Sequence, residues 1–385
     1  MATEQQQLRE DIREAARGVL AVVDRQEFIT RAREGGDLDD AWAAMAAQGL
    51  LAVGVPEEWG GTGEGMTGPV AVVEALSEGG TPPVLFLLTA FARVAIMRHG
   101  TPEQKRRFLA PTTTGDVRLC FAITEADAGT NSFAMRTFAR QDGERYLLSG
   151  QKVFISGADA ATHAMVVART TRLDDAEDKR KGLSLFVVPI DAPGLSLTRM
   201  KIDLHSPEHQ FVMHLDEVEV PADDLIGPRD DGLRALFDAL NPERLLVSAW
   251  AVGLGTHALA RGVDYARDRA PFGKPIGSYQ GVQHPLARAK AQLEAARLMM
   301  YTACEEFDRG GDAGAYANMS KLLASEAANA AADAVIQAFG GSAFDHESDI
   351  VTLWPMIRLL RIAPVNNEMV LNYIAEKLLR LPKSY

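Results

Sequence analysis

The sequence predicts an α+β chain in three parts, with helices, then an antiparallel β region, then helices again. Three observations predict it. The spacing of apolar residues changes from steps of three and four to steps of two near residue 116, and it changes back after Pro228. An Asp142-Gly143 dipeptide, a hairpin-turn signature, lies between two of the period-two runs. A chain of 385 residues is too long for one ordinary core and suggests two or three domains. The expected division is an all-helical domain over 1–115, a β domain over 116–228 and a helical bundle over 229–385.

In the first part, Leu8, Ile12, Ala15, Ala16, Val19 and Leu20 recur at helical spacing, and Leu38 to Leu51 repeats the pattern until Gly54 and Pro56 stop it. The loop Pro56-Glu57-Glu58-Trp59-Gly60-Gly61-Thr62-Gly63 has too many glycines to continue a helix. At Gly100-Thr101-Pro102-Glu103-Gln104-Lys105, a threonine cap precedes proline at the first helical position.

The middle part opens on an apolar run, Leu119 to Ile123, followed by Thr124-Glu125 and a turn-rich segment from Ala126 to Ser132. The small residues of that turn leave backbone N–H groups and hydroxyls free to meet a polar planar ligand. A second segment, Gly150 to Gly157, puts an aromatic residue and a hydroxyl on successive outward positions of another strand. Met165 to Ala168, Leu183 to Ile190 and Phe211 to Val220 read as further strands, and the mixed-charge stretch from Thr170 to Lys181 reads as a solvated loop.

In the last part, Asn241-Pro242-Glu243-Arg244 reads as a helix opening, with asparagine as cap and proline just inside. A glutamate there is ordinarily a surface residue that complements the helix dipole. Leu286, Ala289, Leu293, Ala296, Met300, Ala303 and Phe307 form one apolar stripe of the kind that packs in a bundle. Ala313 to Phe339 is another helix, ended by Gly340-Gly341, where a left-handed cap is expected.

Composition narrows the function. A formal charge of −12 argues against general nucleic-acid binding. The two cysteines, Cys120 and Cys304, indicate neither a disulfide framework nor a zinc site, so a reducing, cytoplasmic compartment is the default. The N-terminal MATEQQQLRE carries no secretion or transit signal, and no apolar run is long enough to span a membrane.

The two β segments together resemble the acyl-CoA dehydrogenase flavoproteins, whose signatures are a Thr-Glu followed by a Gly-Ser-Asp turn and an aromatic-Ile-Thr/Ser on the next hairpin. The Pro56–Gly63 loop and the Gly100–Lys105 segment also match that family, and the resemblance runs in the family's order over nearly the full chain. It implies a helical, β, helical fold and an FAD cofactor. Phe121, Ile123, Thr124, Gly129 and Thr130 would line the pyrimidine side of the flavin, with Phe154, Ile155 and Ser156 on the other side. Asn131 stands where the family usually has Asp. Arg269, Phe272, Tyr279 and Gln280 resemble the family's Arg-x-x-Phe-Gly loop, and Gln337, Gly340 and Gly341 its second cofactor element. Both elements would serve a neighbouring subunit's cofactor at its diphosphate end, which implies a homo-oligomer, a dimer or a homotetrameric dimer of dimers. Asn366 and Glu368 fall in the C-terminal loop that also borders the cofactor.

The family places its catalytic base either in that loop or on the helix that carries Glu243. Pro364 stands at the first position and cannot accept a proton, so the resemblance makes Glu243 the base. Asn241, Arg244 and Thr130 would help to hold the substrate or the carboxylate. Pro364 also lacks the N–H that in the family helps to hold the thioester carbonyl. Three options stay open: a loop shifted by one residue, a flavin hydroxyl with another donor, or altered chemistry. The implied reaction is α,β-dehydrogenation of an acyl-CoA thioester in fatty acid metabolism, with electrons leaving through an electron-transfer flavoprotein. The alternatives are flavin-dependent oxidase or monooxygenase chemistry, a carrier-protein thioester substrate, and a flavin-binding scaffold without turnover.

Overall fold

The computed structural model describes residues 4–383; Met1–Thr3, part of the stretch read for a leader, and Ser384–Tyr385 lie outside the described residues. The N-terminal helices are α1 (Glu4–Leu20), α2 (Arg25–Glu34), α3 (Asp39–Ala47), α4 (Thr67–Glu78), α5 (Val84–His99) and the short α6 (Pro102–Gln104). Helices α4 and α5 are apolar on nearly every side and are buried accordingly. The expected cap of α6 forms as a reciprocal box: Thr101 accepts from the Gln104 N–H, and the Gln104 side chain accepts from the Thr101 N–H.

The strands are β1 (Leu119–Ala122), β2 (Phe138–Asp142), β3 (Arg145–Ser156), β4 (His163–Arg169), β5 (Leu183–Pro189), β6 (Leu195–Arg199), β7 (Gln210–Pro221) and β8 (Leu225–Ile226). They form one sheet in the order β6-β7-β3-β2-β4-β5-β8, with β1 paired to β4. The expected hairpin joins β2 to β3, with Asp142 opposite Arg145 and Gly143 at φ 62°. The sheet is not antiparallel throughout. β1 runs parallel to β4, and β2 meets β4 in parallel at Phe138 and Arg169. The long excursion through β2 and β3 between β1 and β4 gives the chain room for that crossover.

The C-terminal helices are α7 (Leu233–Asp268), α8 (Gln280–Asp308), α9 (Ala313–Phe339), α10 (Ile350–Leu359) and α11 (Asn367–Tyr373). The apolar stripe read on α8 is buried from Leu286 to Phe307. Two expectations for this part need correction. Asn241-Pro242 does not open a helix: α7 starts at Leu233, because Ala235, Leu236 and Ala239 extend the buried face upstream of the proline. Pro242 therefore sits inside the helix and leaves the Asp238 carbonyl without its usual N–H partner. At the end of α9, Gly340 has positive φ (59°), but its ψ of −137° is not that of a left-handed cap.

The two helical parts form one body. Glu74 on α4 takes Arg297 and Tyr301 of α8, and Arg25 on α2 pairs with Asp349 at the start of α10. The sheet is fixed to this body through α5, where the Thr89 hydroxyl donates to the Leu119 carbonyl and accepts from the Leu119 N–H. That contact places the loop leaving β1 against the helices. No helix among the described residues is long and apolar enough to cross a membrane.

Candidate active site

The loop after β1 is built around a buried ion pair. Lys152 on β3 is completely buried and donates to the Ile123 carbonyl (3.0 Å) and to Glu125 (2.9 Å). Burial pushes the Lys152 ammonium down to about 8, while the Glu125 charge opposes that shift. Burial would raise the Glu125 carboxyl, but the Lys152 charge and the N–H groups of Thr137 and Arg136 hold it below the ordinary range. Arg169 braces the same region from below, donating to the carbonyls of Met135, Phe133, Lys179 and Lys181. Two of these belong to the loop read as solvated surface, so that loop is pinned from beneath. The Val153 N–H reaches the Thr124 carbonyl at 2.9 Å and joins the two β segments.

On this frame Gly129 and Thr130 lie exposed, and among the described residues their N–H groups donate to no protein acceptor. Phe154 stands outward at 58% exposure, on backbone with φ 58°, at a bulge in the pairing of β3 with β7. A non-glycine residue in that conformation is strained, and such strain gathers at sites where a side chain must be aimed. The Ser156 hydroxyl accepts from Gln210 at 2.7 Å. Ile123 and Thr124 are half-buried, whereas Phe121 and Ile155 turn their side chains into the core and have only backbone to offer a ligand. Free N–H donors beside an outward aromatic suit a planar ring with acceptors at its edge, which is the shape and chemistry of a flavin.

The loop between α10 and α11 arrives from the other side. Asn366 caps α11 by accepting from the Met369 N–H (2.8 Å), and its amide donates to the Thr130 hydroxyl (3.1 Å). Pro364 and Glu368 in this region are exposed. Lys321 on α9, buried, donates to the Val365 carbonyl (2.6 Å) and to Asn367 (2.7 Å).

Glu243 is half-buried on α7, and among the described residues nothing hydrogen-bonds its carboxylate. Burial pushes its pKa up to about 7, against the pull of Arg244. Since the residue lies inside α7 rather than at its start, the helix N-terminus does not stabilise the charge. Arg244 donates to the Leu240 carbonyl (3.0 Å) and to Asn241 (3.1 Å), and its buried Nε has no partner among the described residues.

Arg269, Phe272, Tyr279 and Gln280, with Gln337, Gly340 and Gly341, form a separate and exposed group at the ends of α7, α8 and α9. Tyr265 stacked on Phe339 (4.0 Å between centroids) ties those ends together. An open cleft of about 720 Å³ runs between α7 and α8 beside them, bordered by Arg267, Pro275, Gly277 and Lys290. Among the described residues no hydrogen bond or ion pair joins this group to the one around Thr130.

The sequence reading did not assign Lys152, Glu125, Arg169 or Lys321 a role. A signal for the three basic residues exists: each is a lone cation in an otherwise apolar strand or helix face, which calls for buried acceptors.

Residues 2–116, 120–211 and 230–379 match the N-terminal, middle and C-terminal domains of acyl-CoA dehydrogenase. The acyl-CoA dehydrogenase FadE12 of Mycobacterium tuberculosis is 41% identical over 380 residues, which cover 98% of this chain and 97% of that protein. Butyryl-CoA dehydrogenase from Megasphaera elsdenii superposes with a TM-score of 0.93 at 26% identity, covering 99% of this chain and 100% of that one. The FAD complex of PigA superposes with a TM-score of 0.89 at 30% identity, covering 98% of each chain. From the order of the three parts, the frame around the loop after β1 and these likenesses together, the chain belongs to the acyl-CoA dehydrogenase family.

Proposed function

We propose that the chain carries out FAD-dependent α,β-dehydrogenation of an acyl-CoA thioester, with Glu243 taking the α-proton. The observation that carries this reading is a carboxylate held in a crowded site with no hydrogen-bond partner and a pKa near 7. A base poised near neutrality is what abstraction of a weakly acidic α-proton requires, and an ionised surface glutamate would be too weak. FAD, when bound, supplies the acceptor for the hydride leaving the β-carbon.

The residues divide the remaining work. The N–H groups of Gly129 and Thr130 would hold the edge of the flavin ring, and Phe154 and Ser156 would cover one of its faces. Arg244 braces the turn of α7 just before Glu243 and keeps its Nε available to the substrate. The N–H groups of Val365 and Asn366 make no hydrogen bond among the described residues. They are the donors that a loop shifted by one residue would turn toward the thioester carbonyl in place of Pro364.

The exposed group around Arg269 serves the cofactor of a second copy of this chain, because arginine pairs well with a diphosphate and among the described residues nothing engages the Arg269 side chain. The assembly is therefore a homo-oligomer. Two buried free cysteines suit a reducing, cytoplasmic setting, with an electron-transfer flavoprotein as acceptor.

Anaerobic addition of acyl-CoAs of graded length tests the reading. The wild-type flavin absorbance bleaches with at least one thioester. Glu243→Gln retains its flavin but bleaches roughly 10³-fold more slowly. Bleaching of the variant at the wild-type rate places the base on another residue.

A further inference from the structure

We infer that Lys321 is a positioning residue, which holds the loop between α10 and α11 so that Asn366 meets Thr130 and clasps the turn facing the flavin. The inference rests on the flavin site proposed above. A lysine on the buried face of α9, among Ala317, Ala324 and Ala328, pays for desolvation and gains nothing in packing that methionine would not give. Among the described residues it makes no ion pair. Both of its hydrogen bonds go to one short stretch, the Val365 carbonyl and the Asn367 side chain.

Ser325, one turn further along α9, exchanges hydrogen bonds with the same Asn367 (3.2 and 3.1 Å). The Asn367 N–H returns to the Arg361 carbonyl and closes the loop. What the loop then presents is Asn366, whose amide spans from the C-terminal part of the chain to the hydroxyl of Thr130. A continuous path thus runs from the rigid interior of α9, through Lys321, to the turn that carries the free N–H groups. The charged groups that bear on Lys321 are Arg244, Glu368, Arg361 and Glu326.

A double-mutant cycle of Lys321→Met and Asn366→Ala tests this, read by the dissociation constant of FAD from the refolded or stripped protein and by the rate of flavin reduction. If Lys321 acts through Asn366, each single variant binds FAD about tenfold more weakly, and the double variant is no more than about tenfold weaker than wild type. Lys321→Arg, which keeps a donor cation, recovers affinity to within about threefold. Effects that multiply to about a hundredfold, or normal affinity in both single variants, overturn the proposal. If Lys321→Met does not fold, Lys321→Gln takes its place in the cycle. Should no thioester reduce the wild-type flavin, the dehydrogenase reading fails while the affinity measurements still decide the role of Lys321.

Discussion

Glu243 differs from a surface glutamate in two measurable ways. Its proton is held more tightly in the folded chain than in the unfolded one, because burial raises its pKa from 4.5 to about 7. Ionising it therefore costs stability, so its contribution is fully retained below about pH 4.5 and is lost as the pH rises toward 7. Glu243→Gln, which cannot ionise, is expected to exceed wild type in unfolding free energy by on the order of 1–3 kcal/mol at pH 8. Urea titrations of the FAD-loaded proteins should show that gap shrinking toward zero near about pH 5. If Glu243 is the base proposed above, the wild-type rate of flavin reduction is expected to climb as the pH rises through about 7 and then to level off. A rate already flat at about pH 5 would leave Glu243 without a role as base. The sequence singled Glu243 out only through the family resemblance, and its setting inside a longer helix was not legible. Asparagine followed by proline is a strong helix-opening signal, and only the apolar positions upstream, Ala235, Leu236 and Ala239, give the longer helix away.

At the level of elements, β3 carries the least obvious information. Strict alternation would set Lys152 and Phe154 on one face. The bulge between Lys152 and Ile155, with Phe154 in the left-handed region, changes the phase, so lysine goes in and phenylalanine stays out. The hairpin at Asp142-Gly143 and the apolar strands were readable because their signals are local. The Lys152–Glu125 pair was not, because its two members meet only once β1 and β3 are side by side. Lys152→Met is expected to destabilise the protein by about 3 kcal/mol, since it strands a largely buried carboxylate. It should also loosen the N–H groups of Arg136 and Thr137 from Glu125 and so weaken FAD retention. Equilibrium unfolding and flavin content after gel filtration check both effects. A variant as stable as wild type would mean that Glu125 reaches water in the intact protein.

Across the whole molecule, the order of helical, β and helical parts followed from periodicity alone, whereas the joining of the outer two parts did not. Arg25 with Asp349, and Glu74 with Arg297, are contacts between distant stretches that leave no trace in local pattern. The exposed side chains at the far end of the helices make a prediction at this scale. Phe272, 82% exposed, has no partner ring among the described residues. If this loop meets a second copy of the chain, as proposed, Phe272→Asp is expected to shift the species seen by light scattering to a smaller mass and to lower flavin content with it. Unchanged mass and full flavin would show that this loop contacts no second chain.

If the Arg269 group completes the cofactor site of a second chain, as proposed, mixtures of variants would reveal it. A chain crippled only at Glu243 and a chain crippled only at Arg269 would then each keep the half that the other has lost. Co-expressed, two such defective alleles would restore each other, since every hybrid pair brings together one wholly sound crevice and one with both lesions.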